Sequence, residues 1–365
     1  MESTIGFIGF GLIGGSIAKA LKKTNPDITI MAYMRTRQKL EQAKQDGIVD
    51  LILNEVDERL SLCDLILLCT PVEYNAQYLE KIRPFLKKGA IISDVGSTKT
   101  HIHEEVIRLG LEHCFVGGHP MAGSEKTGYE HATDHLLENA YYIITPTAQS
   151  TPEQVERLVQ FAASVGAIPM VLDYRKHDMA VATISHLPHI IASSLVNLVK
   201  DQDDENQVMK QVAAGGFKDI TRIASASPEM WEQICSSNSE NISLVLESYI
   251  QSLESILAFV RRKDQTAIYQ LFDTSRTYRN SISERATGPI QPEYAFTMDI
   301  ADEIGAISTI SVILAAKGIS IKNIGINHNR EHGEGALGIA FYDEASMKSA
   351  WEQLEKYHYE LISIH

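Results

Sequence analysis

The sequence has few of the features that mark secreted or membrane proteins. Its four cysteines are scattered, without the spacing of disulfide pairs or metal ligands: Cys63, Cys69, Cys114 and Cys235. This usage is typical of a reducing cytoplasm. No apolar run approaches the roughly 20 residues that span a bilayer. The opening MESTIGFIGF passes directly into a strand pattern, with no basic segment or cleavage signal. We therefore expect a cytoplasmic protein without a membrane partner.

Positive charge is also scarce. The chain has 33 Lys and Arg against 47 Asp and Glu, a formal net charge of -14, and no basic cluster that could follow a phosphate backbone. Nucleic acid is therefore not expected as a partner. At 365 residues the chain exceeds the size at which one hydrophobic core stops growing, which predicts two or three domains.

Residues 1–173 alternate short apolar runs with amphipathic helical patterns. The runs are rich in Ile, Leu and Val and are bounded by Gly and Pro, at residues 4–10, 27–33, 63–70, 89–95, 114–118 and 140–146. Such runs indicate parallel strands buried on both faces. Their alternation with helices predicts an α/β fold with a doubly wound sheet.

The pattern changes after this region. Residues 174–285 lack strand-like runs and predict an all-helical domain, whose wide apolar stripes suggest contact with another subunit. Residues 286–293 have the Pro and Gly of a linker. Residues 294–365 follow the order β, α, β, β, α, β of a ferredoxin-like domain.

A glycine-rich motif closes the first predicted strand. Gly9, Gly11 and Gly14 form G-x-G-x-x-G around Leu12 and Ile13, between a strand and a helix. This is the context of a Rossmann dinucleotide site. The glycines allow a tight turn, close approach of a pyrophosphate, and close packing of helix on strand. The helix N-terminus then offers N–H groups to the phosphates.

The end of the second strand leaves the identity of the dinucleotide open. Met34 stands where an acid would bind the ribose of NAD, and Arg35, Thr36 and Arg37 follow. These three residues could hold the 2′-phosphate of NADP, or the arginines could stack on the adenine or lie in solvent. The residues thus leave NAD and NADP as alternatives.

Other candidate residues lie at strand ends, where open α/β sheets bind their ligands. Thr70 and Pro71 end one strand, Ser97 follows the next, and His119 ends another in GGHPMAG, with Glu125 beyond it. A histidine of near-neutral pKa, hydrogen-bonded to a serine, can take a proton from a hydroxyl while hydride leaves the same carbon. The alternative is a capping or packing histidine.

The helical region adds cations and aromatic rings. Lys218 and Arg222 are i, i+4 on one predicted helix face, and Arg222 offers a fork for a carboxylate. His186 and His189 flank Pro188, a residue that kinks helices. The pair could bind a metal, bind substrate, or pack in the core, and metal is least favoured because no carboxylate or cysteine stands at ligand spacing. Trp231 could be a core residue.

Five motifs together resemble the prephenate and arogenate dehydrogenases of tyrosine biosynthesis. They are GFGLIGGS (9–16), DVGSTK (94–99), GGHPMAGSEKTG (117–128), SHLPH (185–189) and GGFKDITRIASASPEMW (215–231), in that family's order. The resemblance covers about residues 4–285. It implies oxidative decarboxylation of prephenate to 4-hydroxyphenylpyruvate, with hydride transfer to NAD or NADP, in a homodimer.

The resemblance also implies roles for individual residues. His119 would take the proton of the ring hydroxyl, Ser97 would orient His119 and touch the cofactor, and Arg222 would clamp the ring carboxylate, with Lys218 adding positive field. The pocket or its gate would be lined by Glu125, His186, His189 and Trp231. Met34 departs from the acid of many NAD-using members.

The C-terminal region resembles an ACT domain, a module that commonly senses amino acids. A tyrosine effector is expected at Gly305 and Ala306, near Asn323. Two other functions stay open from the sequence: an arogenate dehydrogenase that forms tyrosine directly, and an amino-acid-sensing regulator that binds nucleotide without turnover. The presence of Ser97, His119 and Arg222 together argues against the regulator.

Overall fold

A five-stranded parallel sheet organises the N-terminal part of the chain. The structure is a computed structural model that describes residues 3–123, 126–282, 294–300, 303, 305–327 and 335–363. The chain forms two compact units, Met1–Gly288 and Pro289–His365. The sheet order is β3-β2-β1-β4-β5, with strands β1 (Thr4–Ile8), β2 (Thr29–Tyr33), β3 (Leu51–Leu53), β4 (Leu65–Leu68) and β5 (Ile91–Asp94).

Helices cover both faces of this sheet, which explains the unbroken apolar runs of its strands. In β4, Leu65 and Leu67 join one core while Ile66 and Leu68 join the other, because successive side chains point to opposite faces. The helices of this region are α1 (Leu12–Thr24), α2 (Arg37–Gln45), α3 (Val72–Ile82), α4 (Thr100–Arg108) and α5 (Pro152–Ser164). This part of the fold agrees with the doubly wound sheet expected from the sequence.

A second, three-stranded sheet corrects one expectation. It contains β6 (Val116–Pro120), β7 (Tyr141–Pro146) and β8 (Ile168–Val171) in that order. The pair β6 and β7 is antiparallel, not parallel as predicted. A parallel connection needs a long crossover, usually a helix. The described residues between these two strands hold only a short 3-10 helix, Tyr129–His131.

The following region is helical, as expected. Its helices are α6 (Tyr174–Val181), a π-helical segment (Ala182–His186), α7 (Leu187–Gln202), α8 (Val208–Val212), α9 (Gly215–Thr221), a 3-10 helix (Arg222–Ser225), α10 (Pro228–Ser237), α11 (Ser239–Arg262) and α12 (Gln265–Ser281). The π-helical segment immediately precedes the turn that holds Pro188. A proline cannot donate the usual helical hydrogen bond, so the helix is distorted beside it.

Two stretches of this helical region, Tyr174–Gln202 and Ser239–Arg262, are long and apolar enough to cross a membrane by length and composition alone. Neither stretch is an uninterrupted apolar run, because His186 and His189 lie in the first and Glu247 and Glu254 lie in the second. A core helix of a soluble protein passes the same test. Large apolar side chains stand exposed on α11 and α12, among them Leu244, Val260, Tyr269, Phe272 and Tyr278.

The second unit contains β9 (Tyr294–Ile300), α13 (Ala306–Ala315), β10 (Ile321–Asn327), β11 (Gly335–Phe341), α14 (Glu344–Lys356) and β12 (Leu361–Ser363). Its sheet is antiparallel, in the order β10-β11-β9-β12. Phe296, Met298 and Phe341 pack against Leu314 and Leu354 of the two helices. The order of elements is the one that the sequence predicts.

Candidate active site

The glycine-rich turn after β1 has a shape that fits a pyrophosphate. Gly9 has a φ of +90°, and a Cβ there would lie 2.6 Å from a backbone oxygen after β4. Only glycine adopts this conformation without strain. Nothing lies within 4 Å of a Cβ built on Gly11, so its backbone is open to a ligand, and α1 begins directly after it with Leu12 and Ile13. A Cβ on Gly14 would lie 3.1 Å from the Gly9 oxygen, which keeps the helix close to the strand.

The edge beyond β2 lacks the carboxylate that binds the ribose of NAD. Met34 packs against the apolar core instead. The Arg35 guanidinium lies 5.2 Å from the ring centroid of Tyr74, and Thr36 precedes α2 without a side-chain capping bond. Arg37 forms an ion pair of 2.9 Å with a glutamate one turn later. Both arginines therefore have protein partners. These contacts do not favour a site for the ribose of NAD over a site for the 2′-phosphate of NADP.

Thr70 and Pro71 lie at the carboxyl end of β4, beside the glycine turn. The Thr70 hydroxyl donates to Oδ1 of Asn75 at 2.8 Å, and Pro71 precedes α3. Strand order reverses between β1 and β4 in this sheet. Ligands of doubly wound folds bind at such a switch point, so these residues stand where a dinucleotide would pass.

A buried ion pair fixes the loop after β5. Lys99 and Asp94 are both fully buried and in direct contact. The Lys99 ammonium also donates to the carbonyl oxygen of Gly118 at 2.6 Å, while Asp94 accepts from the N–H groups of Gly96 at 2.9 Å and Gly118 at 3.2 Å. The pair thus holds the residue that immediately precedes His119.

His119 lies at the start of a hydrogen-bonded chain of three side chains. It occupies β6, and its Nδ1 is 2.8 Å from Nε2 of His177 in α6. Nδ1 of His177 is in turn 2.8 Å from Oδ1 of Asp178. Asp178 also accepts from the backbone N–H groups of Lys99 and Thr100, at 2.8 and 2.7 Å. The described contacts leave Nε2 of His119 as the ring nitrogen available to a substrate.

The environment of His119 differs from the near-neutral base that was expected. Burial, followed by repulsion from His177, Lys99 and His186, holds the pKa of His119 well below its ordinary value. Charge in a poorly solvated site is costly, so the neutral ring is favoured. His119 is therefore an unprotonated base at neutral pH.

The expected contact between Ser97 and His119 is not the one that orients the ring. Within the described residues, no hydrogen bond joins the two side chains, and His177 is the partner of Nδ1 of His119. Ser97 is half-buried in the loop that carries Lys99. The neighbouring Thr98 hydroxyl lies 3.0 Å from that of Ser237, which ties this loop to α10.

The two histidines of SHLPH and Trp231 form an aromatic cluster. The indole of Trp231 stacks on His189 at 4.0 Å between centroids and meets His186 edge-on at 5.9 Å. Nδ1 of His189 donates to the Ser185 carbonyl oxygen at 2.8 Å. Nδ1 of His186 accepts from Asn238 at 3.2 Å, and burial lowers the pKa of His186 to about 4. Trp231 thus packs on the site histidines, rather than in an apolar core.

A cavity of about 610 Å³ lies beside this cluster. His189 and Trp231 line it together with Ile223 and Pro228. Arg222, which directly precedes this lining segment, is exposed, as is Lys218 in α9. The cavity has largely apolar walls, as a small ring-bearing ligand requires. Glu125 lies outside the described residues.

Sequence reasoning missed four residues of this site: Asp94, Lys99, His177 and Asp178. The first two are charged residues at a strand end that is otherwise apolar, and that contrast was the available signal. His177 and Asp178 adjoin each other at the start of the helical region, but His177 is 58 positions from His119 in the chain. Only the folded structure brings them together.

The strand order, glycine turn and base describe the class of Rossmann-fold oxidoreductases. Family models match two parts of the chain: the nucleotide-binding domain of prephenate dehydrogenase over residues 17–171, and its dimerization domain over residues 173–274. Prephenate dehydrogenase from Bacillus subtilis (strain 168) is 36% identical over 357 residues, which cover 97% of this chain and 96% of that protein. The chain belongs to the prephenate dehydrogenase family.

Solved structures agree with this assignment. The crystal structure of prephenate dehydrogenase from A. aeolicus, in complex with hydroxyphenyl propionate and NAD+, has a TM-score of 0.72 and 29% identity. It covers 77% of this chain and 98% of its own. The structure of Synechocystis arogenate dehydrogenase has a TM-score of 0.70 and 29% identity, with coverage of 77% and 100%.

We expect the His119 imidazole to titrate below about pH 6.5, the ordinary histidine value. Because the folded state lowers the pKa of His119, the fold opposes protonation, and this residue contributes a loss of stability as pH falls below that value. An NMR titration of ¹⁵N-histidine-labelled protein measures the midpoint, with the signal assigned by its disappearance in His119→Asn. A midpoint at or above 6.5 would contradict the expectation.

Proposed function

We propose that this chain catalyses the oxidative decarboxylation of prephenate to 4-hydroxyphenylpyruvate, coupled to hydride transfer to a nicotinamide dinucleotide. The observation that carries this proposal is the neutral His119, held through Nδ1 with Nε2 available, in a member of the prephenate dehydrogenase family that also has a cavity lined by His189 and Trp231. The open glycine turn supports a dinucleotide as partner.

His119 acts as the base of the proposed reaction. Nε2 takes the proton of the ring hydroxyl as hydride leaves the same carbon, and a bound nicotinamide supplies the hydride acceptor. The bond between the ring and its carboxylate then breaks, and the electron pair of that bond completes the aromatic ring. The ring oxygen regains a proton and becomes a phenol. The protein therefore positions groups rather than supplying covalent chemistry.

The remaining site residues bind and orient the substrate. Arg222 clamps the ring carboxylate through its planar guanidinium, and the positive charge of Lys218 further favours binding of that carboxylate. His189 and Trp231 present a stacked aromatic wall against which a six-membered ring can lie. His186 is proposed to line the pocket or its gate, as is Glu125, which lies outside the described residues. Ser97 is proposed to contact the cofactor and to help orient His119.

NAD is the proposed cofactor, with NADP as the alternative. NAD+ is present in the A. aeolicus complex. In this chain, however, Met34 stands at the position of the usual acid, and Arg35 and Arg37 lie at the same edge. The residues proposed to hold the dinucleotide are Gly9, Gly11, Leu12, Ile13, Gly14, Arg35, Thr36, Arg37, Thr70, Pro71 and Ser97.

The helical region is proposed to form a homodimer in the cytoplasm. The matched family model is named for dimerization, and α11 and α12 expose apolar side chains that a second copy would bury. The proposed domains are residues 1–173, 174–285 and 294–365, joined by a linker at 286–293 that lies outside the described residues.

The C-terminal unit is proposed to be an ACT-like domain that binds tyrosine. Gly305 has a φ of +92° at the start of α13, followed by Ala306, and Asn323 is exposed on β10. The matched B. subtilis protein extends over this region too, since the alignment covers 97% of the chain. Product binding here would regulate the enzyme.

An absorbance assay of reduced nicotinamide tests the reaction. We expect prephenate-dependent turnover, and comparison of NAD with NADP and of prephenate with arogenate determines both preferences. His119→Asn should lower kcat by about 10²–10⁴-fold, the contribution typical of general base catalysis, with little change in cofactor affinity. Absence of turnover with every pair of substrates would reject the proposal, and near-normal turnover of His119→Asn would reject the base.

Arg222→Gln should raise the KM for prephenate by about 10-fold or more, because one charge-assisted hydrogen bond of about 1.5–3 kcal/mol is lost. Steady-state kinetics at saturating cofactor measure this. Arg175→Gln, which removes an arginine that lies over Tyr174, serves as the control and should leave KM unchanged. An unchanged KM in Arg222→Gln would contradict the clamp.

Tyrosine should bind the intact chain at a site separate from the catalytic cavity. Calorimetry on His119→Asn saturated with substrate and cofactor measures binding with the catalytic cavity occupied. We expect one tyrosine per chain, and Gly305→Val should abolish this binding because a β-branched residue does not tolerate a positive φ. Unchanged binding by Gly305→Val would reject the effector site.

A further inference from the structure

The hydrogen bonds that link Asp178, His177 and His119 have a determined direction of donation. Asp178 is buried and receives hydrogen bonds from backbone N–H groups on both carboxylate oxygens. The side-chain hydrogen bond from His177 and those from the backbone lower the pKa of Asp178 despite its burial. An ionised carboxylate only accepts hydrogen bonds, so His177 must donate to it from Nδ1.

This direction sets the tautomers of both histidines. A neutral His177 that carries its proton on Nδ1 has a bare Nε2, which can only accept. His119 must then donate from its Nδ1 to Nε2 of His177, across the 2.8 Å that separates them. A neutral His119 with its proton on Nδ1 has a bare Nε2. This nitrogen is the one that the substrate hydroxyl must reach.

We propose that His177 and Asp178 are positioning residues that set the base tautomer of His119 and accept its second proton during turnover. This inference rests on the proposed function. As the substrate O–H bond breaks, an N–H bond forms at Nε2 of His119. The N–H bond at Nδ1 of His119 breaks as a new one forms at Nε2 of His177. The positive charge then lies on His177, in contact with the Asp178 carboxylate, and the reverse transfer restores the starting state.

The surroundings explain why charge is better placed on His177. His119 faces Lys99 and His186, both of which disfavour its protonation, and has no carboxylate in direct contact among its described partners. His177 touches Asp178 directly. Lys99 is itself paired with Asp94, and His103 of α4, whose pKa is lowered to about 3 by burial, is neutral. Asp178 is thus the negative group placed to stabilise the protonated pair.

His177→Gln separates orientation from proton acceptance. A glutamine amide oxygen can replace Nε2 as acceptor from His119, so the ring stays oriented, but it takes no proton. We expect kcat to fall by at least about 10-fold, within the range of a proton-transfer contribution, with KM for prephenate changed by less than about 3-fold. In the pH profile of kcat/KM, the acid limb should move to lower pH. Without His177, the Asp178 carboxylate no longer stabilises a proton shared between two imidazoles, so His119 alone must hold it.

The opposite shift would contradict the inference. If His177 acts only by repelling charge on His119, its replacement moves the acid limb to higher pH. An unchanged kcat and an unchanged limb in His177→Gln would also overturn the proposal. His103→Gln is the matched control, since it removes another buried imidazole, one that bonds Thr145 and stacks on Tyr174. That variant should retain the wild-type kcat and limb.

A measurement on the wild-type protein tests the same inference even if His177→Gln does not fold. Long-range ¹H–¹⁵N spectra of histidine-labelled protein report which ring nitrogen carries the proton. We expect His119 and His177 both to be protonated on Nδ1 at pH 7.5, and a proton on Nε2 of His119 would overturn the inference. The spectra do not depend on turnover. If the proposed function is wrong, the wild-type protein shows no prephenate-dependent reduction of the dinucleotide. If only the proton transfer from His119 to His177 is wrong, that activity remains and the spectra show a different tautomer.

Discussion

The buried contact between Lys99 and Asp94 is the interaction on which the site depends. Removing two charges from water is expensive, and only close pairing with further hydrogen bonds compensates for it. Here the additional bonds go to the backbone of Gly96 and Gly118. Loss of one partner would leave an unpaired buried charge, at a cost of about 3–5 kcal/mol. The backbone beside His119 is therefore fixed by electrostatics, not only by packing.

The fold was predictable where the chain buries apolar side chains in a regular pattern. The five-residue strand Thr4–Ile8 and the glycine turn after it were identified from the sequence. Leu51–Leu53 and Ile168–Val171 were missed because they are short edge strands, and the latter is partly exposed along its length. The antiparallel pairing of β6 with β7 was missed because both strands carry the apolar runs that favour parallel sheets.

The site was predictable in its residue types, but not in its contacts. Strand ends and motifs located His119, His186, His189 and Trp231, and the structure places the last three in one cluster. Ser97 was expected to orient His119, and the hydrogen bond at Nδ1 of that ring is instead made by His177. A hydroxyl near in sequence suits the orienting role chemically, whereas His177 lies in α6 and is recognisable only by its position in space.

Asp178 connects the helical region to the loop after β5. Its carboxylate binds the backbone of Lys99 and Thr100 beyond β5, but Asp178 itself lies in α6. The same carboxylate accepts the hydrogen bond from Nδ1 of His177. One buried group therefore fastens the helical region to the loop after β5 and orients the imidazole that contacts His119, so the packing of these two segments and the orientation of the imidazole depend on each other.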